Sequence, residues 1–172
     1  LASNPCGEQM LPPYGACLLG SINLTRLVDR PFEAGADVDE ADLADLTRTA
    51  VRMLDNVIDV SLFPLPAQAE EAIAKRRLGL GVTGLADALV FCGAPYGGDR
   101  AVALTDRWLG IIKREAYRAS AELAAEKGVF PLYDAAMLER PNLVGLDKQT
   151  LKLIGQHGLH FCLQDRQLRC AH

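Results

Sequence analysis

The feature that most constrains the fold is a helical periodicity in the apolar residues that begins near residue 39. Apolar side chains recur there at steps of three and four residues, at Leu43, Leu46, Ala50, Leu54, Val57 and Ile58. This spacing predicts an amphipathic helix, since residues three and four apart share one helix face. Asp39 is available as the N-cap, and Pro64 and Pro66 end the pattern. The chain is therefore expected to pack at least one long helix against a core.

Further helices are predicted along the rest of the chain. The longest is capped by Asp99, stops at Gly128 and has an apolar face that includes Trp108. Shorter helices are predicted over residues 67–75, 83–91, 134–139 and 147–155. Prolines exclude a long helix from the first half of residues 1–30, where we predict a loop, a short strand and a turn into residues 18–28.

Composition excludes several classes of protein. The 172 residues are 49% hydrophobic, enough to bury a core in one domain or in a piece of a larger one. A formal net charge of -4 argues against a binder of nucleic acid polymers. Five unevenly spaced cysteines do not suggest a secreted disulfide scaffold, and no apolar run reaches the roughly 20 residues of a membrane span. We predict a cytoplasmic protein and, since no initiator Met is present, a fragment.

The densest group of reactive side chains lies in residues 3–9, with the sequence SNPCGEQ. Asn4, Cys6 and Glu8 are two residues apart, so an extended backbone would direct all three side chains to one side. Pro5 restricts the backbone and the following glycine permits close approach of a ligand. Spacing alone also allows a second interpretation, in which Cys6 is a small buried side chain beside a solvated Glu8.

A longer stretch of the sequence favours the first interpretation, in which the three side chains form a reactive site. Residues 3–9, together with residues 11–24 (LPPYGACLLGSINL) and residues 76–89 (RRLGLGVTGLADAL), closely resemble the active-site loop and a later stretch of ribonucleotide reductase large subunits. The resemblance runs from the first residue to about Gly158 and is strongest to the adenosylcobalamin-dependent class II enzymes. It implies an enzyme that reduces ribonucleoside diphosphates or triphosphates to deoxyribonucleotides for DNA synthesis.

The resemblance also implies roles for individual residues. Cys6 matches the cysteine that becomes a thiyl radical and removes hydrogen from the ribose C3′ carbon. Glu8 matches the base that takes the proton of the C3′ hydroxyl, and Asn4 matches an amide that hydrogen-bonds the substrate. Cys17 matches one of two cysteines whose oxidation supplies the electrons, with the partner cysteine upstream of this stretch. Substrate binding is assigned to Ser3, Asn4, Cys6, Gly7 and Glu8.

The fold that the resemblance implies is α/β, a mostly helical fragment of a ten-stranded α/β barrel. Residues 1–158 would belong to the catalytic domain, with a finger loop over residues 1–24 and a helical layer over residues 39–158. Residues 159–172 depart from the family pattern, as a frameshift or a junction would produce. The implied cofactor is adenosylcobalamin. The implied partners are a ribonucleotide, a thioredoxin-like dithiol reductant and a second copy in a homodimer, and the isolated fragment is expected to be inactive.

Two alternatives stay open at this point. One is a class I large subunit whose radical comes from a separate metal-containing subunit. The other is a decayed gene product or a helical interaction module that merely retains the motif.

Two weaker patterns have simpler explanations. Residues 79–84 match G-x-G-x-x-G, but a charged helical pattern precedes them, so we predict a packing turn rather than a dinucleotide site. Arg76 and Arg77 beside this string could meet a phosphate or a neighbouring subunit, although a solvated helix end is the favoured interpretation. Cys92 and Trp108 are predicted to be core residues.

The C-terminal residues include the side chains of a transition-metal site. They are His157, His160, Cys162, Cys170 and His172. Their spacing matches no zinc-binding pattern, so we predict no metal site.

Overall fold

The computed structural model describes residues 2–3, 10–139 and 143–163, and these form a mostly helical α/β structure. The strands are β1 Ala2–Ser3, β2 Met10–Leu11, β3 Leu18–Asn23, β4 Val28–Asp29, β5 Asp37–Val38, β6 Arg77–Thr83 and β7 Cys162–Leu163. The α-helices are α1 Glu40–Val60, α2 Pro66–Lys75, α3 Leu85–Phe91, α4 Asp99–Lys127 and α5 Lys148–His157. Single 3₁₀ turns cover Leu24–Arg26 and Ala135–Glu139.

The central sheet has three parallel strands in the order β3-β6-β7. Leu18 pairs with Leu78 at one end of the β3–β6 register and Asn23 pairs with Thr83 at the other. Parallel neighbours require crossover connections, which α1 and α2 provide between β3 and β6. The strands β1–β2 and β4–β5 form two separate antiparallel pairs, and no sheet closes on itself within the described ranges. The structure thus confirms an α/β class with much helix, without displaying the ten-stranded barrel.

The main core lies between the sheet and helices α1 and α4. Trp108 of α4 and Leu43 of α1 are completely buried in it, together with Phe161 near the C-terminal end of the described residues. Gly20 of β3 brings α1 close to the sheet, because a Cβ atom there would lie only 3.3 Å from Leu54 Cδ1. The predictions that Trp108 and Cys92 are core residues are confirmed, since Cys92 is also buried.

The helix ends test the predicted caps. Asp39 caps α1 as predicted, accepting hydrogen bonds from the backbone N–H groups of Ala41 at 2.9 Å and Asp42 at 3.0 Å. The predicted cap Asp99 is wrong, because Asp99 is the first helical residue of α4 and Gly98 occupies the N-cap without a side-chain hydrogen bond. Gly128 ends α4 as predicted, with a φ of 90°. Cap chemistry therefore located these boundaries to within one residue.

The G-x-G-x-x-G string divides between two kinds of structure. Gly79 and Gly81 lie inside strand β6, which corrects the expectation that the whole string forms a turn. Gly84 alone makes the turn into α3, with a φ of 68°. A Cβ atom there would lie 2.7 Å from Thr25 Cγ2, so the glycine is required both for its backbone conformation and for close packing.

The packed structure continues beyond the predicted boundary at Gly158. Leu159 and Phe161 are buried, and the backbone N–H of Cys162 donates to the carbonyl of Arg76 at 3.1 Å. Residues 159–163 therefore belong to the fold, while residues 164–172 lie outside the described residues. A frameshift or a junction as the origin of this segment stays a prediction. None of the helices in the described ranges has the length and apolar character needed to cross a bilayer.

Replacing Gly84 by alanine is expected to cost more stability than the same change at Gly93. Both glycines have a positive φ, but the added Cβ meets Thr25 only at Gly84, whereas no atom lies within 4 Å at Gly93. We expect Gly93→Ala to lower the free energy of unfolding by about 1 kcal/mol and Gly84→Ala by about 1 kcal/mol more. Urea denaturation measures both values, and equal losses would contradict the packing role of Gly84.

Candidate functional site

Two short strands bracket the segment predicted to carry the chemistry. Ala2 pairs with Leu11 and Ser3 pairs with Met10, in antiparallel register. The connecting residues 4–9 lie outside the described residues, and with them three of the four predicted catalytic side chains, those of Asn4, Cys6 and Glu8. Gly7, predicted to bind substrate, lies outside them as well. Ser3 is described and exposed. The roles assigned to this loop therefore stay predictions.

Cys17 lies where the central sheet begins. A turn closed by the Gly15 N–H and the Pro12 carbonyl, 2.9 Å apart, leads the chain from β2 towards it. Cys17 is half-buried and directly precedes β3, and its thiol contacts the carbonyl of Leu18 at 3.7 Å. The position of this thiol is thus tied to a strand of the core sheet.

Cys162 lies at the same end of the sheet, on the opposite side of β6. It pairs with Arg77, whereas Leu18, the residue after Cys17, pairs with Leu78. The two cysteines are separated by two strand spacings of about 4.8 Å, hence about 10 Å. A disulfide needs Cα atoms no more than roughly 7 Å apart, so these two residues cannot bridge in this arrangement.

The described residues contain a buried ionic cluster that the sequence reasoning missed. Its centre is Asp55 of α1, whose side chain is fully buried. The Arg76 guanidinium donates to Asp55 Oδ1 from Nε at 2.9 Å and from Nη2 at 2.6 Å, and to the Asp55 carbonyl at 3.0 Å. Its Nη1 donates to Asp59 Oδ1 at 2.7 Å. The favoured prediction of a solvated helix end is therefore wrong for Arg76, which is buried against two carboxylates.

Two further side chains complete this cluster. Lys127, the last residue of α4, places Nζ 3.0 Å from Asp55 Oδ2, and His160 Nε2 lies 3.4 Å from the same oxygen. Burial by itself would raise the pKa of Asp55. The contacts with His160, Arg76 and Lys127 outweigh burial and hold that pKa well below its usual value. Asp55 is therefore a buried carboxylate that stays ionised.

The cluster fixes the junction between α2 and β6. Arg76 has a φ of 43°, an uncommon conformation for a residue with a side chain, and its hydrogen bonds hold it there. Arg77 begins β6 and is also buried, with Nη1 donating to Glu71 Oε1 at 3.0 Å, so the helix-end prediction fails for it too. Glu71 also accepts from Lys75. These charges hold the two residues at which the chain enters β6, the strand that pairs with β3.

One signal in the sequence could have revealed Asp55. It follows Leu54 and precedes Ile58 by three residues, so it interrupts the apolar face of the predicted helix. An acidic residue at a core position needs a buried cation, because an unpaired buried charge is very costly. Arg76 is that cation, and only the path of the chain brings it near.

The described ranges contain no group of three or more His, Cys, Asp or Glu side chains placed to hold a metal ion. The polar groups around Asp55 are directed at one another rather than towards an open cavity. This cluster does not fit a cobalamin, and we assign no described residue of this chain to that cofactor.

Comparison with known proteins identifies the family of this chain. A family model described as the ribonucleotide reductase barrel domain matches residues 1–150. The chain belongs to this family.

Several curated relatives can be compared in detail. The vitamin B12-dependent ribonucleoside-diphosphate reductase of Mycobacterium tuberculosis (strain H37Rv) is 45% identical over 139 residues, covering 81% of this chain and 19% of the relative. The protein of the same name in Thermoplasma acidophilum is 38% identical over 142 residues, covering 83% and 18%. The ribonucleoside-diphosphate reductase subunit alpha of Chlamydia trachomatis is 35% identical over 159 residues, covering 90% and 14%. The chain thus spans about a fifth or less of the length of these relatives.

Replacing Asp55 by asparagine tests the cluster. The variant keeps the size of the side chain but leaves Arg76 buried with only Asp59 as an anionic partner. We expect the free energy of unfolding to fall by roughly 3–5 kcal/mol, the usual loss when one member of a buried ion pair is removed. The control is Arg52→Gln, which breaks an exposed pair with Glu126 and should cost less than about 1 kcal/mol. If urea denaturation gives equal losses of unfolding free energy for the two variants, the buried pair contributes no more stability than the exposed pair.

The cluster also predicts how stability depends on pH. The pKa values of Asp55, Asp59 and Glu71 are all lowered in the folded protein. A lowered carboxyl pKa stabilises the fold above the unfolded value, near 4, and this contribution is lost as the pH falls below it. We expect the free energy of unfolding to decrease below about pH 4, and to decrease less steeply in Asp55→Asn. If the free energy of unfolding depends on pH in the same way in Asp55→Asn and in the unsubstituted protein, the lowered pKa of Asp55 is contradicted.

Proposed function

We propose that the complete protein containing this chain reduces ribonucleotides to deoxyribonucleotides. The observation that carries the proposal is the family match over residues 1–150, which includes the SNPCGEQ loop, Cys17 and the stretch 76–89. The vitamin B12-dependent names of relatives at 38% and 45% identity favour adenosylcobalamin as the cofactor. When bound in the complete protein, that cofactor would supply radical chemistry.

The proposed architecture is a fragment of a ten-stranded α/β barrel. Its support is that the parallel neighbours β3, β6 and β7 are joined through helices, α1 and α2 in the first connection and α3, α4 and α5 in the second. This is the repeating unit from which α/β barrels are built. Residues 4–9, which belong to the predicted finger loop of residues 1–24, lie between β1 and β2, ahead of this unit in the chain.

The proposed chemistry starts at Cys6. Its thiyl radical takes the hydrogen atom from C3′, so the S–H bond forms as the C3′–H bond breaks. Glu8 accepts the proton of the C3′ hydroxyl, which makes the carbon radical easier to form because the oxygen shares its charge with the radical centre. Asn4 hydrogen-bonds the substrate and holds this geometry. The C2′ hydroxyl then leaves as water.

Cys17 is proposed as one of two thiols that supply the reducing equivalents. Oxidation of two thiols to a disulfide releases two electrons and two protons. These convert the C2′ hydroxyl to water and place a hydrogen on C2′. Finally Cys6 returns its hydrogen atom to C3′ and Glu8 returns its proton to the C3′ oxygen, which regenerates the thiyl radical and the carboxylate. A thioredoxin-like dithiol then reduces the disulfide by exchange. The half-buried position of Cys17 at the start of β3 supports a thiol that is held in place but reachable.

The proposal includes a cytoplasmic location, because a dithiol reductant operates in a reducing compartment. The proposal also includes the assembly of two copies of the complete protein into a homodimer. A second candidate differs only in the source of the radical, which would be a separate metal-containing subunit. The 35% identity with a protein named subunit alpha in Chlamydia trachomatis favours this alternative.

The decisive assay is deoxynucleotide formation by the complete protein under anaerobic conditions, with a dithiol and with or without adenosylcobalamin. We expect activity only with the cobalamin. Activity that instead requires a metal-loaded second subunit would support the alternative, and no activity under either condition would contradict the proposed reaction.

Substitutions in the complete protein separate the two thiol roles. Cys6→Ser should abolish all chemistry, because the O–H bond of an alcohol is too strong to yield the radical easily. Cys17→Ser should still exchange the C3′ hydrogen of the substrate but form no deoxynucleotide beyond background. The control is Cys92→Ala, since Cys92 is buried in the core and has no role in the proposed chemistry, and it should retain most activity. Normal turnover in both serine variants would rule out these roles.

A further inference from the structure

Helix α1 has a second apolar face that the described ranges cover only in part, since its large side chains are 38–75% exposed while Ala50 within it is half-buried. Its core face carries Leu43, Thr47, Val51, Leu54, Asp55 and Ile58. A separate stripe, here called the α1 seam, consists of Leu46, Ala50, Met53, Val57 and Val60. Met53 is 58% exposed and Val60 is 75% exposed. Large apolar side chains are thus presented to solvent along most of the helix.

The spacing of the α1 seam indicates what kind of element fits it. Its five residues are separated by steps of four, three, four and three, which is the pattern of a helix that packs along another helix. From Leu46 to Val60 the seam is about 21 Å long, at 1.5 Å per residue. The apolar surface continues past the helix end through Leu62, which is 98% exposed, and Leu65. An edge strand or a small ligand would not match this length and period.

Charged side chains along one edge of the α1 seam further restrict the kind of partner that fits it. Arg48 and Arg52 line a groove of about 530 Å³ together with Met53, Val57 and Val60. Arg48 binds Glu115 and Arg52 binds Glu126, yet the two arginine side chains stay 39% and 49% exposed. A partner with carboxylates beside its apolar stripe would therefore complement this edge.

We propose that the α1 seam is the docking surface for an amphipathic helix of the same polypeptide, from outside these 172 residues. The chain spans about a fifth of the length of its relatives, so most of a protein of their size lies beyond it. The seam also adjoins the core face of α1, so a helix docked there extends the existing core. This inference rests on family membership and on the exposed face of α1, and not on the proposed reaction.

The test measures solvent access at the centre of the seam in the complete protein. The Met53→Cys variant is alkylated at micromolar concentration, and modification of that site is followed by peptide mass spectrometry in the native and urea-unfolded states. We expect native alkylation at least tenfold slower than in the unfolded state and independent of protein concentration. The matched control is Val102→Cys, at an exposed apolar position on α4 away from the seam. We expect its native alkylation rate to lie within about threefold of its rate in the unfolded state.

Two results would overturn the proposal. Alkylation of Met53→Cys at its unfolded rate would show an open seam, and protection that disappears on dilution would assign the seam to a second copy of the protein. The assay does not depend on turnover. Protection of Met53→Cys in a protein that fails to make deoxynucleotides would therefore support the docking surface while contradicting the proposed function.

Discussion

A single buried carboxylate joins four parts of this chain that are distant in sequence. Asp55 of α1 binds Arg76 at the α2–β6 junction and Lys127 at the end of α4, and His160 at the approach to β7 places Nε2 3.4 Å from its carboxylate. Such a carboxylate is tolerated inside a protein only when cations and hydrogen bonds surround it. The relative positions of these segments therefore depend on one another. The strand β6 starts where Arg76 is held.

Cys17, the residue proposed for redox chemistry, adjoins a strand that pairs with β6. Strand β6 pairs with β3 over six positions, and Cys17 immediately precedes β3. The contact of Gly20 with Leu54, next to Asp55, places α1 directly against the same strand. A thiol that exchanges electrons with a partner must stay within a narrow distance range, so a rigid strand is a suitable support. The ionic cluster and Cys17 are thus connected through the β3–β6 pairing and through α1.

Local patterns predicted the helices well because their causes are local. The apolar period placed α1 and the longest helix, and Asp39 capped α1 through contacts two and three residues away. The prediction failed at Asp99, where Gly98 serves as the cap. It failed again at Arg76 and Arg77, because a pair of arginines after a polar helix resembles a solvated end. The carboxylate that buries Arg76 lies 21 positions earlier.

The sequence alone determined the family, because the loop around Cys6 and the stretch 76–89 retain the family's residues in order, and the match over residues 1–150 agrees. Only the tertiary structure decided that Asp55 and Arg76 are partners, that residues 159–163 join the core, and that the large side chains of the α1 seam are partly exposed within the described ranges. The physical reason is the distance along the sequence over which each kind of interaction acts. Motifs and helical periods arise from neighbours within a few residues, whereas burial and ion pairing depend on how the whole chain brings distant residues together.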